Sequence, residues 1–96
     1  MTGESVEVVD NPVEHRFEAR VDGDLAGFLY YRERPGSLIL VHTEVAEELE
    51  GHGVGGRLVA GVLDDIRARG LTATALCPFA AGYVEKHPEY ADLVAA

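Results

Sequence analysis

Hydrophobic and polar positions change their period near residue 54, and that change divides the chain into two kinds of element. The run "VEVV" at residues 6–9 is short and apolar enough for a first strand. In "HRFEARV", residues 15–21, Phe17, Ala19 and Val21 alternate with Arg16, Glu18 and Arg20, which predicts a strand with one buried face. Asp22-Gly23 is a two-residue hairpin signal, because both turn positions favour positive φ. Residues 25–34 are then the antiparallel partner, with Tyr30 and Tyr31 on opposite faces. Pro35-Gly36 makes the next turn. "SLILVHTEV" follows and is apolar on both faces through Val41, the pattern of a central strand covered on each side.

From residue 54 to residue 69 the spacing becomes helical. Val54, Leu58, Val62 and Ile66 recur every four residues with Val59 and Leu63 beside them, forming one wide apolar stripe. Asp65 and Arg69 form a favourable i,i+4 pair outside the stripe, and Gly70 stands where a helix-terminating glycine belongs. "LTATALC", residues 71–77, reads as a strand, and Pro78 opens a short helix that Pro88 stops. A right-handed crossover makes the last two strands parallel. The expected fold class is α/β: a mixed sheet of antiparallel N-terminal strands followed by a strand-loop-helix-strand-helix unit.

Composition narrows the class of function. At 96 residues the chain is expected to be one domain, residues 1–96. The net charge of −9 argues against a nucleic-acid backbone and suits a cationic partner. No apolar run is long enough to span a bilayer, and "MTGESVEVVD" lacks the basic and apolar regions of a signal peptide. The expectation is a cytoplasmic protein that does not engage membranes. One cysteine excludes an internal disulfide or a cysteine-cluster metal site. The four histidines lack ligand spacing, so no metal is expected.

The densest chemistry lies in "EELEGHGVGGRLVAG", where Gly51, Gly53, Gly55, Gly56 and Gly61 fall within eleven positions at the start of the helix. Gly51, Gly53 and Gly56 satisfy the dinucleotide spacing GxGxxG, but "TEVAEELE" separates them from the strand they should follow directly. A Walker loop fails because Arg57-Leu58 replaces the Lys-Ser/Thr pair. What remains is a row of backbone N–H groups at a helix N-terminus, suited to a phosphate or pyrophosphate.

With these elements in order, the chain resembles the GNAT acetyltransferase superfamily. The motif [Q/R]-x-x-G-x-[G/A] of its acyl-CoA-binding core maps onto the stretch from Glu50 to Gly55. "HTEV", "GHGVGGRLV" and "LCPFAAGYVEKHPEY" are similar to a small GNAT-like group of about hundred-residue N-acetyltransferases, over nearly the whole chain. The resemblance implies a minimal GNAT fold with acetyl-CoA as cofactor and an amine as acceptor. It implies that Val45 pairs with the pantetheine arm, and that Gly51, His52, Gly53, Val54, Gly55, Gly56 and Arg57 form the pyrophosphate turn. Three positions depart from the superfamily. Glu50, preceded by Glu47 and Glu48, replaces Gln or Arg. Val84 stands where a tyrosine acid often precedes a Glu-Lys pair, with Tyr83 one residue earlier, about 100° around a helix. The elements that usually complete the acceptor pocket are missing, which leaves it open or completed by a second subunit in a homodimer.

Cys77 and His42 are the candidate reactive groups. Cys77 ends a strand beside Pro78, where a helix dipole favours a thiolate that can take up the acetyl group. His42 can instead deprotonate the amine, with Glu44 orienting it or acting as base, since these two share a strand face. The plain alternatives are a small buried cysteine and a core histidine. Three functions are therefore open to the chain: an acetyl-CoA-dependent N-acetyltransferase, a non-catalytic acyl-CoA-binding or interaction module, and a structural module without a cofactor.

Overall fold

In a computed structural model, residues 6–94 are described. The first half of the chain forms strands β1 (Val6–Asn11), β2 (Arg16–Val21), β3 (Asp24–Arg34) and β4 (Ser37–Val45). A single 3₁₀ turn (Glu47–Leu49) leads to helix α1 (Val54–Ala68), strand β5 (Thr72–Ala75), helix α2 (Pro78–Lys86) and a last 3₁₀ segment (Pro88–Leu93). The sheet order is β1-β2-β3-β4-β5. All neighbours are antiparallel except β4 and β5, which run parallel on either side of α1. The expected mixed α/β fold is the observed one.

Local chemistry accounts for the connections. Asp22 and Gly23 both adopt positive φ, 53° and 85°, in the predicted hairpin turn. At the end of α1, Leu71 N–H donates to the Ile66 carbonyl and Gly70 N–H to the Arg67 carbonyl, around Gly70 at φ 72°. This is a Schellman ending, which requires a residue that accepts the left-handed region. The Asp65–Arg69 ion pair forms at 2.8 Å.

Helix α1 lies across one face of the sheet, where Phe17, Ala19, Leu29, Tyr31, Leu38 and Leu40 meet Leu58, Val59, Val62, Leu63 and Ile66. Each large apolar side chain buried there contributes roughly 1.5–3 kcal/mol. Gly61 permits the close approach to β1, since a Cβ on it would stand 2.7 Å from Cγ2 of Val8. Tyr31 crosses the core edge to donate to Asp10, which also receives Arg69. Burial first, and then this carboxylate, push the Tyr31 phenol well above its usual range.

The other face is organised differently. Glu18, only 3% exposed, accepts from Asn11, Arg16 and Arg20 at 2.7–3.0 Å. These hydrogen bonds hold its carboxyl at about 2 in spite of burial. The Arg16 guanidinium lies 4.8 Å from the centre of the Phe28 ring. The expectation that β4 is covered on both faces fails: Ile39 and Val41 are only half-buried, because α1 and its core lie on the face of Leu38 and Leu40 and these two residues point away from it. The predicted strand at residues 71–77 is also shorter. Leu76 and Cys77 turn out of it, both donating N–H to the Leu40 carbonyl at 3.0 Å.

Candidate active site

The site is built where β4 and β5 part. Their pairing ends at Leu40 and Ala75, yet β4 continues to Val45 with a partner strand only on the β3 side. The β4 backbone beyond Leu40 therefore has no strand beside it on the side that β5 has vacated. At the same point β4 carries a bulge: Tyr31 pairs with Leu40 and Tyr30 with His42, leaving Val41 unopposed. The extra residue inverts the alternation. Thr43 and Val45 join Leu38 and Leu40 on the helix-covered face, and His42 and Glu44 turn to the bare face.

The glycine turn faces that open stretch. Gly51 and Gly53 have φ of 87° and 82°, a region closed to most side-chain-bearing residues, and a Cβ on either would meet nothing within 4 Å. Backbone conformation and open space thus explain these two. Gly53 is the N-cap of α1, and Arg57 N–H is the first to find its helical acceptor, the Gly53 carbonyl. The N–H groups of Val54, Gly55 and Gly56 precede it and have no acceptor within the helix. Gly55 is small for a different reason: a Cβ there would lie 2.6 Å from Cζ of Phe79, whereas one on Gly56 would make ordinary contact with Cε1 of Tyr83 at 3.4 Å.

Between the two elements lies a cleft of about 590 Å³, lined by Thr43 to Val45, Leu49 to Gly51, Gly53 to Gly56, and Phe79. Its helix end combines free N–H groups with the positive end of the α1 dipole, an arrangement that attracts anions. The acidic rim opposes this, since Glu50 lines the cleft and Glu47 and Glu48 stand exposed beside it.

The predicted site residues separate into two groups. Val45, Gly51, Gly53, Val54, Gly55 and Gly56 all line the cleft, while His52 and Arg57 are exposed at the same turn. Cys77 is the N-cap of α2, as expected, but it is 3% exposed and its Sγ lies 3.2 Å from Oγ1 of Thr43, behind the lining residues. His42 and Glu44 form an exposed pair, Nε2 to Oε2 2.8 Å, and Glu44 also lines the cleft. His42 and Cys77 do reach the ends of neighbouring strands, but the Val41 bulge puts them on opposite faces. Tyr83 packs on the first turn of α1 and stacks on His87 at 4.0 Å, outside the cleft lining. Thr43 and Phe79 were not singled out in the sequence, although both stand inside the quoted "HTEV" and "CPF" strings. Their position beside His42 and Cys77 in the sequence is the signal that points to them.

Comparisons with known proteins bear on the family and the fold. A family model described as GCN5-related N-acetyl-transferase matches residues 16–93. No curated protein matches the sequence. Among solved structures, the NMR structure of a GCN5-like candidate N-acetyltransferase from Staphylococcus aureus is similar over 94% of this chain and 88% of its own, with 28% identity and a TM-score of 0.71. A candidate acetyltransferase of the GNAT family from Desulfovibrio desulfuricans matches 77% of this chain at 26% identity and a TM-score of 0.55. The ribosomal-protein-alanine N-acetyltransferase of Brucella melitensis matches 84% at 24% identity and a TM-score of 0.56, a likeness of fold alone. The chain covers 52% and 61% of those last two proteins.

Proposed function

The chain belongs to the GCN5-related N-acetyltransferase family, and from that premise we propose that it transfers an acetyl group from acetyl-CoA to an amine acceptor. The observation that carries this reading is the β4 backbone beyond Leu40, which faces the N–H row of the glycine turn across one cleft. An extended amide-bearing chain ending in a pyrophosphate suits both walls. Backbone of β4 as far as Val45 would hold the pantetheine arm, and the turn from Gly51 to Arg57 the pyrophosphate. The residues present fit the group: Gly51 and Gly53 leave open space where side chains would stand.

Acetyl-CoA, when bound, supplies an acyl carbon activated as a thioester. The acceptor nitrogen must shed a proton as its amide forms, and for an acceptor that approaches from the bare face of β4 the exposed Glu44 carboxylate, bonded to His42, is the group that takes it. Direct transfer is favoured over an acetyl-cysteine, because Cys77 is buried behind Thr43. A small amine, polyamine or basic peptide suits the net charge of −9.

Titration calorimetry with CoA and acetyl-CoA tests the reading. We expect micromolar-scale binding, about −8 kcal/mol, and a loss of at least 100-fold in Gly53→Asp while the folded state persists. No heat with the wild-type chain overturns the proposal. One observation favours a second reading, a non-catalytic acyl-CoA-binding module: Glu50 lines the cleft where the superfamily carries Gln or Arg. CoA binding without thiol release in the presence of a polyamine or lysine-rich peptide selects that reading.

A further inference from the structure

A second hollow, of about 560 Å³, opens on the bare face of the sheet, where His15, Tyr30, Arg32, Val41 and His42 line it. It lies where β4 and β5 part, since Val41 and His42 are the first residues of β4 beyond Leu40. The His42–Glu44 pair joins it to the cleft, because His42 lines the hollow and Glu44 lines the cleft. Its local charge is the reverse of the molecule's. Tyr31 and Glu33 also border it, but alternation turns their side chains to the other face, where the Glu33 charge bears on the Tyr31 phenol. The bare face is left with Arg32, two imidazoles and the Tyr30 hydroxyl, which accepts from Arg16 at 3.4 Å and keeps its own O–H to donate. Arg16, Arg20, Arg67 and Arg69 each hold a carboxylate. Arg32 is exposed and has no such partner among the described residues.

We infer that this hollow receives an acceptor that carries a carboxylate as well as its amine: Arg32 holds the carboxylate, and the amine lies at the His42–Glu44 pair. The inference rests on the acetyl-transfer reading and adds the substrate class, a small amino acid. Net charge draws cations to the surface as a whole, but the charge inside the hollow selects what fits there. A guanidinium offers a carboxylate two parallel N–H groups and repels a second ammonium. Tyr30 pairs with His42, and Arg32 lies two residues further along the same face, about 7 Å away. That spacing suits an ω-amino acid of about four carbons, with its two ends on different side chains. In the transfer the N–C bond forms as the thioester C–S bond breaks, the amine proton passes to Glu44, and the sulfur leaves with CoA.

Thiol release from acetyl-CoA and proton NMR of the His15 and His42 rings test this. The probes are 4-aminobutyrate, butylamine and 1,4-diaminobutane, which share one carbon chain and differ in the group at its far end. The wild-type chain is expected to use 4-aminobutyrate with kcat/KM about tenfold or more above butylamine, and the diamine more slowly still. Both ring signals should shift saturably with 4-aminobutyrate. Arg32 is exposed, so its replacement should leave the fold intact. Arg32→Gln should bring 4-aminobutyrate down to the level of butylamine, through KM, while butylamine turnover and CoA affinity stay within about twofold. Arg32→Lys should restore part of the preference. Equal use of 4-aminobutyrate and butylamine by the wild-type chain overturns the inference and leaves the transfer reading intact. A loss in Arg32→Gln shared by all three probes, or ring shifts that survive it unchanged, does the same. CoA binding with no thiol release from any amino acid or polyamine overturns the transfer reading, and the acceptor role of the hollow falls with it.

Discussion

The two faces of the sheet are held by opposite means. Under α1, Phe17, Leu29, Leu38 and Leu40 are removed from water by apolar contact, and any polar atom there is an exception with a named partner, as Tyr31 has Asp10. On the other face, the charged side chains of β2 pack on one another and on aromatic rings, with Glu18 at the centre of three donors. Burial alone therefore does not define the core of this protein. Glu18 is as buried as Leu38, but one is stabilised by loss of contact with water and the other by hydrogen bonds that replace it. The proposed site lies where β4 passes from one regime to the other, at Val41.

The contrast between the faces is sharpest at neighbouring residues of β4. Leu40→Ala should cost about 2–5 kcal/mol in urea denaturation, whereas Ile39→Ala, one position along and on the bare face, should cost about 1 kcal/mol. Equal losses would mean that the bare face is also a packed core. A smaller effect is expected from Glu18. Its folded pKa of about 2 lies below the reference 4.5, so the unfolded chain takes up the proton first. Its contribution is complete above that reference and is lost as pH falls towards 2. Glu18→Gln should lower stability at neutral pH by on the order of 2 kcal/mol and flatten the acid side of the stability profile. A profile identical to wild type would show that the three donors serve solvent as well as they serve Glu18. The smallest change belongs to His42→Ala. The pair with Glu44 is more than half exposed, so thermal unfolding should shift by no more than about 0.5 kcal/mol, while acetyl transfer slows and CoA affinity is retained. A loss of CoA affinity would place His42 in the binding cleft, against the inversion at Val41.

Much of this molecule follows from interactions within a few residues. The alternation in β2, the positive φ demanded at Asp22 and Gly23, the four-residue stripe of α1 and its glycine ending at Gly70 all arise from backbone sterics and periodicity, and they appear in the structure as read. So does the glycine turn, since the positive φ of Gly51 and Gly53 is a local backbone requirement. The candidate chemistry was only half legible. That Gly55 makes room for Phe79 and Gly61 for Val8 depends on which helix meets which strand, and the sequence around each glycine is silent on its neighbour across the core. The separation of His42 from Cys77 hangs on one unpaired residue in β4. Strand register is decided by ladder pairing over the whole β3–β4 hairpin, and a single extra residue moves every later side chain to the other face. Periodicity and backbone sterics suffice for the elements, their order and the glycine turn before α1. Which side chains share a compartment is set by contacts between residues far apart in the chain, and it emerges only when helices and sheet are assembled.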